Sequence, residues 1–105
     1  MIQTDYKLNL RESLNALTNS GKESVEFLSH GSLSIKLYKP NKIDTQEPHM
    51  RDEIYVIAQG KGVFNCDGEK KSFEKDDVFF VPKGTEHRFE DFTDDFFTWV
   101  FFYGY

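Results

Sequence analysis

The sequence predicts an all-β protein, an antiparallel sandwich or barrel behind one short helix. Three observations carry this. Only one segment, close to the N-terminus, repeats its apolar residues with a helical period. From residue 24 onward, short runs rich in β-branched and aromatic residues alternate with turn residues. One of those turns is Asp67-Gly68, a pair suited to the tight turn of a hairpin.

The helix is expected over 9–18, "NLRESLNALT". Leu10, Leu14 and Leu17 recur at i, i+4 and i+7 and make one apolar stripe. Asn9 and Glu12 have the spacing of a capping box, in which each side chain satisfies an orphan backbone N–H. "NSG" at 19–21 ends it, with Gly21 in the C-terminal cap. A barrel is then expected over about 23–105. "SVEFL" (24–28) alternates Val25 and Phe27 with polar neighbours, and "LSIKLY" (33–38) alternates Leu33, Ile35 and Leu37 until Pro40 and Asn41 break it. "EIYVIAQ" (53–59) runs to Gly60, and "GVFNC" and "EKKSF" flank Asp67-Gly68. "DVFFVP" (77–82) reads as a strand buried on both sides or at a sheet junction. "HRFEDF" (87–92) and "FFTWVFFYGY" (96–105) complete about eight strands. No linker, repeat or low-complexity stretch interrupts them, so residues 1–105 read as one domain.

Composition narrows the function. The chain has 105 residues, 16% of them aromatic, with 11 Phe, enough apolar mass for a core despite 30% charged residues. The formal net charge is −5 and the cations are scattered, which argues against a nucleic-acid or anionic-membrane surface. Cys66 is the only cysteine, so no intrachain disulfide forms. The first residues, "MIQTDYKLNL", lack the pattern of a signal peptide, and no run is apolar enough to span a bilayer. A soluble, cytoplasmic protein is expected.

Two stretches carry chemistry. In "QEPHMRDEIYVIAQGKG" (46–62), His49 precedes Glu53 by four residues, where a loop containing Pro48 meets a strand. In "PKGTEH" (82–87), His87 follows a Pro-x-Gly turn. On an extended backbone Glu47 and His49 share a face. Two imidazoles and one or two carboxylates converging inside a small barrel suit a divalent metal.

These stretches resemble the two motifs of the cupin superfamily, in particular its small single-domain members. The first cupin motif is G-x5-H-x-H-x3–4-E-x6-G; its second His, its Glu and its last Gly fall on His49, Glu53 and Gly60. The second motif is G-x5-P-x-G-x2-H-x3-N; Pro82, Gly84 and His87 stand in register. The resemblance covers about residues 41–91. It implies the cupin double-stranded β-helix, a jelly-roll barrel, with His49, Glu53 and His87 on its inner wall as ligands to Fe, Zn, Mn or Ni. Four departures stand out. Asn41, Asp76 and Asp91 replace the motif's Gly, Gly and Asn, and Glu47 stands where the first His of H-x-H belongs. Glu47 is thus expected either to ligate, to stay in solvent, or to mark a barrel without metal.

The alternative for His49 and His87 is a pair of hydrogen-bonded histidines in a barrel that holds no metal. For Glu53 it is an ion pair with Arg51 or Lys61, since an unpaired buried carboxylate is costly. His30 reads as solvated and Cys66 as packing. Arg51 and Tyr55 share strand parity with Glu53, and with Glu47 they are the candidate catalytic residues. Three functions follow: a metal-dependent dioxygenase, isomerase or decarboxylase acting on a small oxygen-rich molecule; a non-catalytic ligand-binding module; or a structural barrel closed by Phe side chains. The aromatic C-terminus exceeds what one strand face buries, and small cupins commonly dimerise, so a homodimer is expected.

Overall fold

The computed structural model describes residues 7–104. The N-terminal stretch 1–6 and Tyr105, the last residue of the final predicted strand, lie outside them. One helix, α1 (Leu10–Ser20), precedes eight strands: β1 (Ser24–His30), β2 (Leu33–Tyr38), β3 (Asp52–Gln59), β4 (Gly62–Cys66), β5 (Glu69–Phe73), β6 (Val78–Val81), β7 (His87–Glu90) and β8 (Phe97–Tyr103). They form a five-stranded sheet, β1-β2-β8-β3-β6, and a three-stranded sheet, β5-β4-β7. Each strand pair is antiparallel.

The local signals explain the boundaries. The Asn9 side chain accepts the Glu12 N–H at 3.0 Å and starts α1; Gly21, at φ 70°, ends it. Asp67 and Gly68 both have positive φ, as the two-residue β4–β5 hairpin demands. Two of the motif substitutions sit at left-handed turns: Asp76 at φ 75° and Asp91 at φ 49°. At the first substitution, Lys42 rather than Asn41 takes the left-handed conformation, at φ 71°. The turn is kept, shifted by one residue.

Burial divides the large sheet into two faces. Its inner face meets the small sheet through Tyr55, Ile57, Val100 and Phe102 on one side and Phe64, Phe73 and Phe89 on the other. On its outer face α1 inserts Leu17 among Phe27, Leu37, Ala58 and Phe97. Phe27 and Ala58 stand at the register shifts of β1 and β3, so both bulges feed the helix-covered cluster. The strand in "DVFFVP" differs from its expectation. β6 pairs only with β3, at the sheet edge, and its outer side chains have no cover: Val78 is 62% exposed and Phe80 55%. An apolar run fixes strand propensity but not the strand's place in the sheet.

Gly60 closes the β3–β4 turn at φ 97°, and a Cβ there would come within 2.5 Å of the Phe96 Cα. Gly84 is also left-handed, at φ 78°, but a Cβ there meets nothing within 4 Å. Gly84→Ala is therefore expected to cost about 1–2 kcal/mol, the left-handed penalty alone. Gly60→Ala is expected to cost clearly more, because backbone must move. Urea melts of the two variants check the order.

Candidate metal centre

The site is assembled on a buried carboxylate in the long β2–β3 connection. Asp44 is 1% exposed. Its Oδ1 accepts from the Tyr38 hydroxyl (2.8 Å) and the Gln46 backbone N–H (3.0 Å). Its Oδ2 accepts from Gln46 Nε2 (2.9 Å) and the Phe89 N–H (2.8 Å). Four donors on two oxygens compensate the buried charge. They also tie the connection to β2 on one sheet and β7 on the other. A carboxylate only accepts, so the amide nitrogen of Gln46 must face Asp44 and its oxygen must face the barrel interior.

That oxygen meets the two histidine positions. Gln46 Oε1 lies 3.3 Å from His49 Nε2 and accepts from the Tyr55 hydroxyl at 3.1 Å. The Tyr55 hydroxyl lies 2.9 Å from His87 Nε2. His87 Nε2 lies 2.8 Å from Glu53 Oε1, which lies 3.9 Å from His49 Nε2. Five polar atoms thus form a closed circuit. The backbone carbonyl of His49 accepts from the Gly84 N–H at 2.7 Å, so the Pro-x-Gly turn holds one histidine's loop while it leads into the strand of the other. His87 Nδ1 donates to the Thr85 carbonyl at 2.9 Å, which turns its Nε2 to the centre.

Glu53 decides what the circuit is for. It is 1% exposed, and neither of its oxygens accepts a hydrogen bond of proper geometry. Arg51 and Lys61, its expected ion-pair partners, do not reach it: the Arg51 guanidinium donates to the Ser32 carbonyl (3.2 Å) over the Phe102 ring, and Lys61 is exposed. A buried carboxylate left in this way calls for a cation, which a protonated His87 at 2.8 Å or a metal ion supplies. His49, Glu53 and His87 each bring one ligand atom within 4.8 Å of the others. Two imidazoles and a carboxylate are a fitting donor set for Fe, Zn, Mn or Ni.

The two imidazoles are shifted in opposite directions, His49 toward the neutral ring and His87 toward the protonated one. Burial lowers the His49 pKa against the pull of Glu53 and keeps the ring neutral. Burial also acts to lower that of His87, but Glu53 and the Thr85 carbonyl outweigh it and raise the value. Burial, then the Glu53 charge, push the Tyr55 hydroxyl well above its usual range, so it stays protonated.

The sequence-predicted residues divide. His49, Glu53 and His87 come together, and Tyr55 joins them through its hydroxyl. Glu47 is exposed and outside the circuit. The expectation that it shares a face with His49 required an extended backbone, and no strand includes 45–49. Gln46, one residue earlier, is the inward side chain that the sequence did not reveal. Pro48 was the available signal that strand parity would fail here. Cys66 pairs in register with His87 but is not in the cluster, and burial raises its thiol pKa. His30 is exposed at the end of β1.

Comparison with known proteins gives the family and the fold. A profile of the cupin domain matches residues 35–103. The chain belongs to the cupin family. The uncharacterized protein SCO3923 of Streptomyces coelicolor is 29% identical over 73 residues, covering 68% of this chain and 70% of that one. Among solved cupin-like folds, NMB1881 of Neisseria meningitidis superposes with TM-score 0.73 at 19% identity, over 93% of this chain and 99% of that one. KdgF from Halomonas sp. gives TM-score 0.66 at 21% identity, over 78% of both chains. At these identities the structural likeness establishes the fold alone. Two features of the cupin motifs, His49 with Glu53 and His87 after Pro-x-Gly, are those that meet in the barrel.

A divalent metal held here would stabilise the folded chain over the unfolded one. At about a hundredfold excess over its Kd the gain is about 2.7 kcal/mol, a rise in Tm on the order of 10 °C. Glu53→Gln is expected to fold and to lose most of that rise. Thermal melts with and without Zn, Mn, Ni or Fe(II) measure both.

Proposed function

We propose that this cupin binds one divalent metal through His49, Glu53 and His87, and uses it to bind and transform a small oxygen-rich molecule. The orphaned Glu53 carboxylate carries the reading. Gln46 Oε1 is the fourth donor in reach, in the role first assigned to Glu47. The bound metal would supply Lewis acidity for isomerase or decarboxylase chemistry, or oxygen activation if it is iron or nickel.

The protein's own residues set the limits of that chemistry. Asp44 holds Gln46, and Thr85 holds His87, so two of the donors are oriented before any ligand arrives. Tyr55 keeps its proton and can donate at the centre, a general-acid position. Phe64 and Phe89 pack beside the Tyr55 ring and close the barrel there. The opening lies on the other side. A cavity of about 220 Å³ reaches Gln46 and His49 past Tyr38, Thr45 and Phe102, large enough for a ligand of a few carbons. The phenylalanine filling favours a second reading, a structural cupin without functional metal, which metal content separates from the first.

Metal analysis of protein purified without an affinity metal tests the proposal. About one ion per chain is expected, and His49→Ala and His87→Ala are each expected to lose it. A wild type that takes up none of iron, manganese, nickel or zinc leaves the structural reading.

The homodimer belongs to the same proposal. Beside the patch covered by α1, the large sheet's outer face carries two apolar rows, one across four strands and one across three. Phe80, Ile54, Phe101 and Ile35 are register neighbours, and so are Val78, Val56 and Trp99. A second copy laid on this face would cover them. Light scattering is expected to give twice the 12.3 kDa chain mass, and Phe80→Glu with Phe101→Glu a monomer that still binds metal.

A further inference from the structure

The cavity that opens on His49 contains a cation that the proposed metal chemistry does not use. Lys36 lies in the middle of β2, between Ser34 and Tyr38, with its side chain on the barrel's inner face beside Phe102. It is only partly exposed, and its ammonium stands 5.5 Å from the Phe102 ring centroid. The same ring packs edge-on against His49, with centroids 4.9 Å apart. Lys36, His49 and Gln46 all line the one cavity.

A partly exposed ammonium at the mouth of a cavity is a ready donor for an anion that enters it. Among the described residues no ion pair or hydrogen bond engages it. Its register neighbour Glu26 directs Oε1 to the Ser34 hydroxyl instead, at 2.6 Å. Glu23, also at the cavity, accepts the Asn41 backbone N–H at 2.7 Å. Asp44 is saturated by its four donors. Arg51, the other cation on Phe102, is committed to the Ser32 carbonyl. Lys36 is therefore the cation at the cavity that forms no ion pair or hydrogen bond among the described residues, although Glu26 and Glu23 stand near it.

We infer that Lys36 is an anion subsite, and that the ligand is a small acid which chelates the metal at one end and presents a second carboxylate to Lys36 at the other. The inference rests on the metal reading proposed above. Phe102 acts as the spacer: its ring separates the chelating end at His49 from the anionic end at Lys36, and its face supports the ammonium. Phe64 and Phe89 pack against the Tyr55 ring on the far side of the centre, away from this cavity.

The test is calorimetric titration of nickel-loaded protein with L-malate and with 2-hydroxybutanoate. Both have the same α-hydroxy acid head, and only malate has the second carboxylate. Malate is expected to bind at least roughly tenfold more tightly, the gain from one charge-assisted contact. In Lys36→Met the two acids should bind alike, with 2-hydroxybutanoate unchanged; Lys36→Arg should keep most of the preference. Lys36→Gln serves if the Met variant does not fold. Equal affinities in the wild type, binding of neither acid, or a malate preference that survives Lys36→Met overturns the subsite while the nickel stays bound. Failure to take up nickel overturns the metal reading and this inference together.

Discussion

The Asp44 carboxylate is the constraint on which the site depends. The β2–β3 connection, residues 39–51, is the longest irregular stretch between strands, and it carries both Gln46 and His49. Such a segment holds a side chain in place only if its backbone is fixed. Asp44 does this with four hydrogen bonds, one to each sheet and two to Gln46. The Tyr38 hydroxyl is pushed far up by its burial and by Asp44, so it remains a donor. One buried charge, fully compensated, thereby organises the surroundings of a second one, Glu53, that is not.

The contrast between the two carboxylates separates structure from function. Asp44 and Glu53 are equally buried, at 1% exposure each. Folding stability alone explains Asp44, whose donors offset its desolvation. Glu53 has no such set of donors: it faces two imidazoles, His87 at 2.8 Å and His49 at 3.9 Å, and no hydrogen bond of proper geometry. A chain selected only for stability would place an apolar residue there. The circuit of Gln46, His49, Glu53, His87 and Tyr55 makes sense as a preformed donor set, held open by second contacts to Asp44 and Thr85.

Much of this was legible in the sequence. The helix with its caps, the Asp67-Gly68 hairpin and the strands followed from periodicity and turn chemistry, and the convergence of His49, Glu53 and His87 from the resemblance of two spaced motifs. Three features did not. Gln46 was hidden because strand parity fails in a loop, so the side chain facing inward was one residue away from the one expected. The exposure of Val78 and Phe80 was hidden because composition does not reveal that β6 is an edge strand. Asp44 and Lys36 were hidden because their importance lies in partners, present for one and absent for the other, that are distant in sequence. Residues whose role is set by local spacing could be read; residues whose role is set by tertiary neighbours could not.

X-ray absorption at the metal edge of the zinc-loaded protein tests the central claim most directly, because it reports the ligands and not only the presence of the ion. The account predicts a first shell of nitrogen and oxygen without sulfur, with outer-shell scattering from two imidazoles, and no bound zinc to measure in His49→Ala or His87→Ala. A shell with sulfur from Cys66, or one without imidazole scattering, would contradict it.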